Sequence, residues 1–331
     1  MHNNKYQKII TDSYKFVLFF IIIFFVMIYE FPYYIDTPGG LINLKDKIEV
    51  VDSNKSKGSV NLSYVLELKA TLPTLVMSKF KKDWDVIKKD DIVVSNEKDL
   101  EYRDKMLLEE ANDNALIVAF SKANKKIDII SNDLYITHID ENAKTDLAVG
   151  DQILEVNDNL VNSKQSLLNE ITKYSVGDKI NIKILRDGKL LYKSATLKKE
   201  DNRVIIGVLI TEDKKIKTQP KVTFNFNGNE SGPSGGLMST LYIYDSLKKE
   251  DITKGLVIAG TGTIDEYGNV GPIGGVEFKL KGAVKEDADI FFVPFGENYS
   301  EAIKVKNEFS YNIRIVGVNT FDDVLKYLRN I

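Results

Sequence analysis

Fourteen consecutive apolar residues near the start, Phe16 to Tyr29, restrict the chain more than any other stretch. At about 1.5 Å per residue a helix of this length spans roughly 21 Å, less than the ~30 Å hydrocarbon core of a bilayer. By length alone the run suits a core helix or the core of a signal peptide. Continuing to Ile35 adds one charge, Glu30, and the aromatics Phe31, Tyr33 and Tyr34, which suit a membrane interface. No small-residue cleavage pattern follows, because Tyr29-Glu30-Phe31-Pro32-Tyr33 stands there. The sequence therefore predicts an uncleaved single-pass anchor at 16–35. Lys5, Lys8 and Lys15 precede it, while Glu30 and Asp36 flank its far end. That asymmetry predicts a cytoplasmic N-terminus, residues 1–15, and places the rest of the chain outside the cell membrane.

The remainder has the composition of a globular protein, with 43% hydrophobic and 28% charged residues. A net charge of −3 argues against a nucleic-acid partner, which requires a basic face. The chain has no cysteine, which excludes disulfides, thiolate zinc sites and cysteine nucleophiles. His2 and His138 are its two histidines, too few for a zinc hydrolase, and no cofactor or metal is expected.

Asp36-Thr37-Pro38-Gly39-Gly40 reads as a turn-rich exit from the anchor. Ile48–Val51 and Ser59–Lys69 read as strands, with Asn54–Gly58 as the loop of a hairpin between them. Leu100 to Lys125 has the pattern of an amphipathic helix. From about 123 to 199 the texture changes to short strands, a helix around Ser163–Thr172, and Asp187-Gly188 as a hairpin turn. Beyond Val204, apolar runs at 205–209, 222–226, 256–259, 290–293 and 313–316 alternate with helical patterns. Those helices fall at about 235–248, 276–286, 298–308 and 320–329, so a mixed α/β or α+β domain is expected.

One turn in this last segment can carry chemistry. Gly232-Pro233-Ser234-Gly235-Gly236 lies between an alternating strand (Val222, Phe224, Phe226) and a helical repeat (Leu237, Leu241, Tyr244). Free N–H groups at a helix start can hold a developing oxyanion. A serine hydrolase also needs a proton acceptor. The α/β-hydrolase order of serine, acid, histidine is excluded, because no histidine follows His138. A lysine base remains, provided that desolvation lowers its pKa. After Gly274-Gly275, the residues Val276, Leu280, Ala283 and Val284 share one helical face, and Lys279 borders it. Lys281 falls on the opposite, polar side with Lys285. By residue pattern alone the alternatives stay open: a plain turn that contains a serine, and a lysine that snorkels to water.

Two resemblances narrow them. Leu147-x-x-Gly150-Asp151-x-Ile153, Val156-Asn157 and the closing Ile-x-Ile-Leu-Arg-Asp-Gly-Lys resemble a PDZ domain of the bacterial, peptidase-associated kind. Gly232-Pro-Ser-Gly-Gly-Leu-Met, Ala259-Gly-Thr-Gly-Thr-Ile264, Gly268-x-Val270-Gly-Pro-Ile-Gly-Gly275 and Lys279 resemble the Lon proteolytic domain. With the anchor, the whole chain is similar to the membrane-anchored, PDZ-bearing Lon-like peptidases of Gram-positive bacteria. The resemblance implies an α+β fold in which a PDZ domain (123–199) is inserted into one proteolytic domain, made of 36–122 and 200–331. It implies that strands 48–69 join the C-terminal part. It implies Ser234 as nucleophile, Lys279 as general base, and Thr261 as the residue that orients this lysine. Gly235 stands where an alanine is usual, which makes the helix start more flexible. Ser231 stands where an acid is frequent, with Glu230 adjoining. The PDZ region implies peptide binding by strand addition beside its first helix. Asp128–Asp133 lacks the glycine of a carboxylate-binding loop. Domains of this family often form rings, which implies a homo-oligomer. No Gly-x-x-x-x-Gly-Lys-Ser/Thr occurs. The expected function is thus an ATP-independent, membrane-anchored serine endopeptidase acting on exported peptides and on unfolded or juxtamembrane segments. The competing expectation is a non-catalytic, membrane-tethered peptide-binding adaptor on a protease-fold scaffold.

Overall fold

Elements of the first third run α1 (Asn3–Ile28), β1 (Tyr33–Asn43), β2 (Ile48–Val50), β3 (Ser59–Lys69), α2 (Leu72–Ser78), β4 (Asp85–Lys88) and α3 (Glu97–Ala123). The middle contributes β5 (Ile127–Ile139), β6 (Lys144–Thr145), β7 (Gln152–Val156), β8 (Asn159–Leu160), α4 (Lys164–Ile171), β9 (Lys179–Arg186), β10 (Lys189–Thr196), β11 (Lys198–Glu200), β12 (Arg203–Ile205) and β13 (Val208–Thr218). The last third adds β14 (Val222–Phe224), α5 (Gly236–Leu247), β15 (Val257–Gly260), β16 (Thr263–Ile264), β17 (Val270–Gly271), α6 (Val276–Lys285), β18 (Ile290–Pro294), α7 (Glu297–Phe309), β19 (Arg314–Val318) and α8 (Phe321–Asn330). This computed structural model describes residues 3–53, 56–88, 97–227, 230 and 232–331. Met1, His2, Ser231, and Asn54 and Lys55 of the expected hairpin loop lie outside the described residues.

One six-stranded sheet, in the order β19-β18-β15-β3-β1-β4, organises the part expected to be proteolytic. β19, β18, β15 and β3 are parallel, whereas β1 is antiparallel to both β3 and β4. β18 shows why its sequence is continuously apolar. Ile290 and Phe292 enter the core formed with α3, α5 and α8, while Phe291 and Val293 enter the one formed with α6 and α7. A parallel strand covered on both faces needs no polar alternation. β3 lies between β15 and β1, so the sheet draws strands from both sides of residues 123–199. Residue pattern leaves mixed α/β and α+β open and the resemblance implies α+β; the parallel run β15-α6-β18-α7-β19 makes this part mixed α/β.

Three local expectations change. Residues 36–40 do not turn; they continue β1, which accommodates Pro38 through a register shift between Pro38 and Leu41. Their glycines serve close packing. A Cβ on Gly39 would stand 2.3 Å from the Tyr64 carbonyl oxygen, and one on Gly282 of α6 would stand 3.1 Å from the Gly40 nitrogen. β2 and β3 form no hairpin, because β2 pairs with β14 and β3 is taken up between β15 and β1. The 16–35 segment divides at Ile28. Beyond it the Phe31 N–H donates to the Ala70 carbonyl at 2.7 Å, and Tyr33–Ile35 open β1. Phe16–Tyr29 stand exposed, and among the described residues no helix is long and apolar enough to cross a membrane.

The PDZ sheet runs β13-β5-β7-β9-β10-β6. Leu134, Ile136, Ile153, Ile182 and Ile184 pack beneath Leu167 and Ile171 of α4. Asp187 and Gly188 both have positive φ, 50° and 72°, as a two-residue hairpin turn requires. β13 lies past the boundary expected at 199/200, yet it completes this sheet by pairing with β5 from Val208↔Ile139 to Thr218↔Ile127. Ile127 and Ile216 on this ribbon pack against the proteolytic core. The segment expected to be a PDZ domain is therefore carried on a two-stranded stalk.

Candidate active site

Ser234 sits in a short 3-10 turn, Pro233–Gly235, that leads directly into α5. Gly232 before it has φ +86°, a conformation that suits glycine. The turn is laced to the loop that leaves β15. The Ser234 carbonyl accepts from the Gly262 N–H at 2.8 Å and from Thr261 Oγ1 at 3.1 Å. The Leu237 N–H donates to the Gly262 carbonyl at 3.0 Å. A Cβ on Gly235 would press on Leu62 Cδ2 at 3.0 Å, the tip of a side chain that can yield. Partial positive charge at the start of α5 favours an anion there.

Thr261 is fully buried, and its own N–H is held by the Phe292 carbonyl at 3.0 Å. Its hydroxyl also receives a hydrogen bond from Lys279 Nζ at 3.4 Å. The structure thus joins the three expected residues through Thr261, which touches the Ser234 segment on one side and the lysine on the other. Lys279 is only 6% exposed. Among the described residues no carboxylate pairs with it, and burial alone pushes its pKa down from 10.5 to about 8. An amine in that range supplies an appreciable neutral fraction near pH 7.

Lys281 departs from expectation. It is not on an open polar face; it is also 6% exposed, because Phe309 at the end of α7 covers it, 4.4 Å from Nζ to the ring centre. What separates the two lysines is partnering, since Lys281 Nζ lies 2.6 Å from Glu277 Oε1. Glu230 is engaged by Lys47 at 2.7 Å. His138 lies on β5 in the PDZ sheet, with Nε2 3.8 Å from Asp140. Among the described residues no group of histidines and carboxylates could hold a metal ion.

Sequence patterns did not reveal how α3 meets the PDZ sheet. β5 is paired on both sides, so the free edge belongs to β13, beside α4 and opened by Gly207 at φ +86°. Half of that edge is capped. Glu110 Oε1 accepts from the Glu212 N–H at 3.3 Å, and Asp113 Oδ2 accepts from the Lys214 N–H at 2.9 Å. Burial pushes Asp113 up to about 7 against the pull of this bond. An open cleft of about 800 Å³ runs from α4 (Ser163, Lys164) past Glu212 to Pro233 and Gly271, adjoining the Ser234 turn.

Residues 114–197 match the family model of the PDZ domain, and residues 227–330 match that of the Lon protease C-terminal proteolytic domain. The Lon protease of Campylobacter jejuni is 30% identical over 202 residues, covering 53% of this chain and 25% of that protein. The Lon protease of Metamycoplasma arthritidis is 33% identical over 99 residues, covering 30% of this chain and 12% of that protein. The crystallised PDZ domain of the SdrC-like protein of Listeria innocua is 26% identical, with 24% of this chain and 92% of that chain covered at a TM-score of 0.22. The chain spans a quarter or less of the length of these two Lon proteases. Ser234, Thr261 and Lys279 all fall in the 227–330 match, so the chain joins a PDZ domain to a proteolytic domain of the Lon type.

Proposed function

We propose that the chain is a membrane-anchored, ATP-independent serine endopeptidase with Ser234 as nucleophile and Lys279 as general base. The observation that carries this reading is Lys279, buried without a carboxylate partner and tied through Thr261 to the segment that holds Ser234. A buried lysine with a purely structural role gains by pairing, as Lys281 does.

In this mechanism neutral Lys279 removes the Ser234 hydroxyl proton while Oγ attacks the substrate carbonyl. Backbone N–H groups at the start of α5 stabilise the oxyanion. The ammonium then protonates the leaving amine, and an acyl-enzyme remains on Ser234. Water attacks the acyl carbon while Lys279 accepts its proton, and Lys279 returns that proton to Ser234 Oγ as the acyl–oxygen bond breaks, which frees the acid product and restores neutral Lys279. Peptide adds to the uncapped Val208–Ile210 end of β13, beside α4, and the open cleft takes up farther along the strand, at Glu212 and Lys214, and reaches Pro233 next to Ser234. No Gly-x-x-x-x-Gly-Lys-Ser/Thr occurs in these 331 residues, which supports substrates that need no unfolding: exported peptides and extended, unfolded or juxtamembrane segments. The exposed apolar face of α1 supports anchoring, because so large a bare surface is unfavourable in water. Lysines before it support an N-terminus inside the cell and a catalytic domain outside.

Purified full-length chain in detergent micelles, incubated with unstructured peptides, tests the reading. Ser234→Ala and Lys279→Ala should each abolish cleavage while leaving PDZ peptide binding intact. Undiminished cleavage by both variants would mean that the dyad is wrong. A parent chain that binds peptides and cleaves none would favour the adaptor.

A further inference from the structure

α2 and the turn after it carry an apolar face that the fold leaves bare. Leu72, Val76 and Phe80 recur every fourth residue and so share one side, with Met77 next to them. Phe80 is 83% exposed, and Val76 and Met77 are each nearly half exposed. Lys79, Lys81 and Lys82 are exposed around this face, against a single acid, Asp83, in the same stretch.

The location gives the face its meaning. β3 returns antiparallel to β1, which brings Lys69 opposite Tyr34 and the Ala70 carbonyl onto the Phe31 N–H. α2 therefore begins where the chain leaves α1, and the two helices touch. Ile28 and Tyr29, at the end of α1, are exposed apolar residues as well. An apolar stripe rimmed by lysines is the pattern of a segment lying in a membrane interface. Lysines near such a surface are drawn to anionic headgroups.

We infer that α2 and Phe80 form a second membrane contact, in which Leu72, Val76, Met77 and Phe80 sit at the headgroup boundary while Lys79, Lys81 and Lys82 meet anionic lipid. This rests on the reading of α1 as the anchor. A single helix leaves the domain free to swing, whereas a second contact fixes the β1–β3 end of the sheet against the bilayer. The Ser234 turn is then held at a set height, within reach of juxtamembrane substrates.

The chain supplies its own reporter, because Trp84, its sole tryptophan, lies four residues after Phe80 and is half-buried. Full-length protein is reconstituted into phosphatidylcholine vesicles, with and without phosphatidylserine, whose acyl chains carry bromine at a shallow or a deep position. The expected result is co-flotation together with Trp84 quenching that is stronger for shallow than for deep bromine and stronger with phosphatidylserine. Combined Val76→Ser, Met77→Ser and Phe80→Ser should reduce the quenching at least severalfold while co-flotation and cleavage of a soluble peptide persist. Lys79→Gln, Lys81→Gln and Lys82→Gln together should remove the phosphatidylserine dependence, which tests the contact without touching the apolar face. Co-flotation with Trp84 unquenched everywhere would overturn the second contact and leave the anchor standing. Emission that changes with protein concentration and ignores bromine would assign the face to a second copy of the chain, and would also overturn it. Failure to co-float would remove both the anchor and the contact.

Discussion

Replacing Lys279 by methionine should stabilise the protein at neutral pH while abolishing its peptidase activity. A lysine in the unfolded chain titrates at 10.5, and burial holds the folded Lys279 at about 8. Between those values the folded state binds fewer protons than the unfolded state, so stability rises with pH across that window. The penalty is fully present below about 8 and relieved above 10.5. A gap of this size amounts to about 3 kcal/mol, at 1.36 kcal/mol per unit. Methionine keeps the apolar stem and loses only the 3.4 Å bond to Thr261, so roughly 1–3 kcal/mol of net gain at pH 7 is the working figure. Thermal unfolding of full-length parent and Lys279→Met in the same detergent, followed by circular dichroism at pH 7 and pH 10, measures it. The variant should melt higher at pH 7, and the difference should shrink at pH 10. A variant that melts lower at pH 7, or a difference that ignores pH, would refute the claim that Lys279 is buried without a carboxylate partner.

The same shift governs catalysis: kcat/KM should rise about tenfold per pH unit below about 8 and level off above it, and a break between pH 4 and 6 or a flat profile would count against a lysine base. Thr261→Val keeps the shape but removes the hydroxyl between the Ser234 segment and Lys279, so kcat should fall on the order of 10–100-fold with KM little changed, as steady-state kinetics would show. Gly282→Val would force a side chain against Gly39 and Gly40, separating α6 from β1; about 1–3 kcal/mol of stability should go, and activity with it, because α6 carries Lys279. Asp113 binds a proton more readily in the folded chain than in the unfolded one, so its contribution is present at low pH and is lost as pH rises through about 7. That loss starts near pH 3.8 and is complete above about 7, so Asp113→Asn should raise the melting temperature most at pH 8 and by clearly less at pH 5.

Legibility followed the range of the forces involved. Helices α5 to α8 and the buried strands between them were readable, because each is a local apolar period bounded by glycine or a polar turn. The six-stranded sheet was not readable from periodicity: nothing within Ser59–Lys69 says that its neighbours are β1 on one side and the remote β15 on the other. Resemblance supplied that placement. At residues 36–40 local signals misled, since Pro38-Gly39-Gly40 has turn composition while the glycines serve the close approach of Gly282. Lys281 shows the limit of the helical wheel, which sorts residues around one helix and is blind to Phe309 arriving from the next. The charged face of α3 reads as solvated, yet Glu110 and Asp113 cap the edge of a strand about a hundred residues away. The Ser234–Thr261–Lys279 cluster was readable as three motifs, whereas the path of contacts through Thr261 needed three dimensions.

Covalent labelling tests the serine–lysine site most directly. Full-length protein treated at pH 8 with a serine-reactive fluorophosphonate is digested, and the modified residue is located by mass spectrometry. A single adduct on Ser234 that is lost in Lys279→Met is the expected result. Labelling at another residue, or labelling of Ser234 that is unaffected by Lys279→Met, would contradict a serine activated by this lysine.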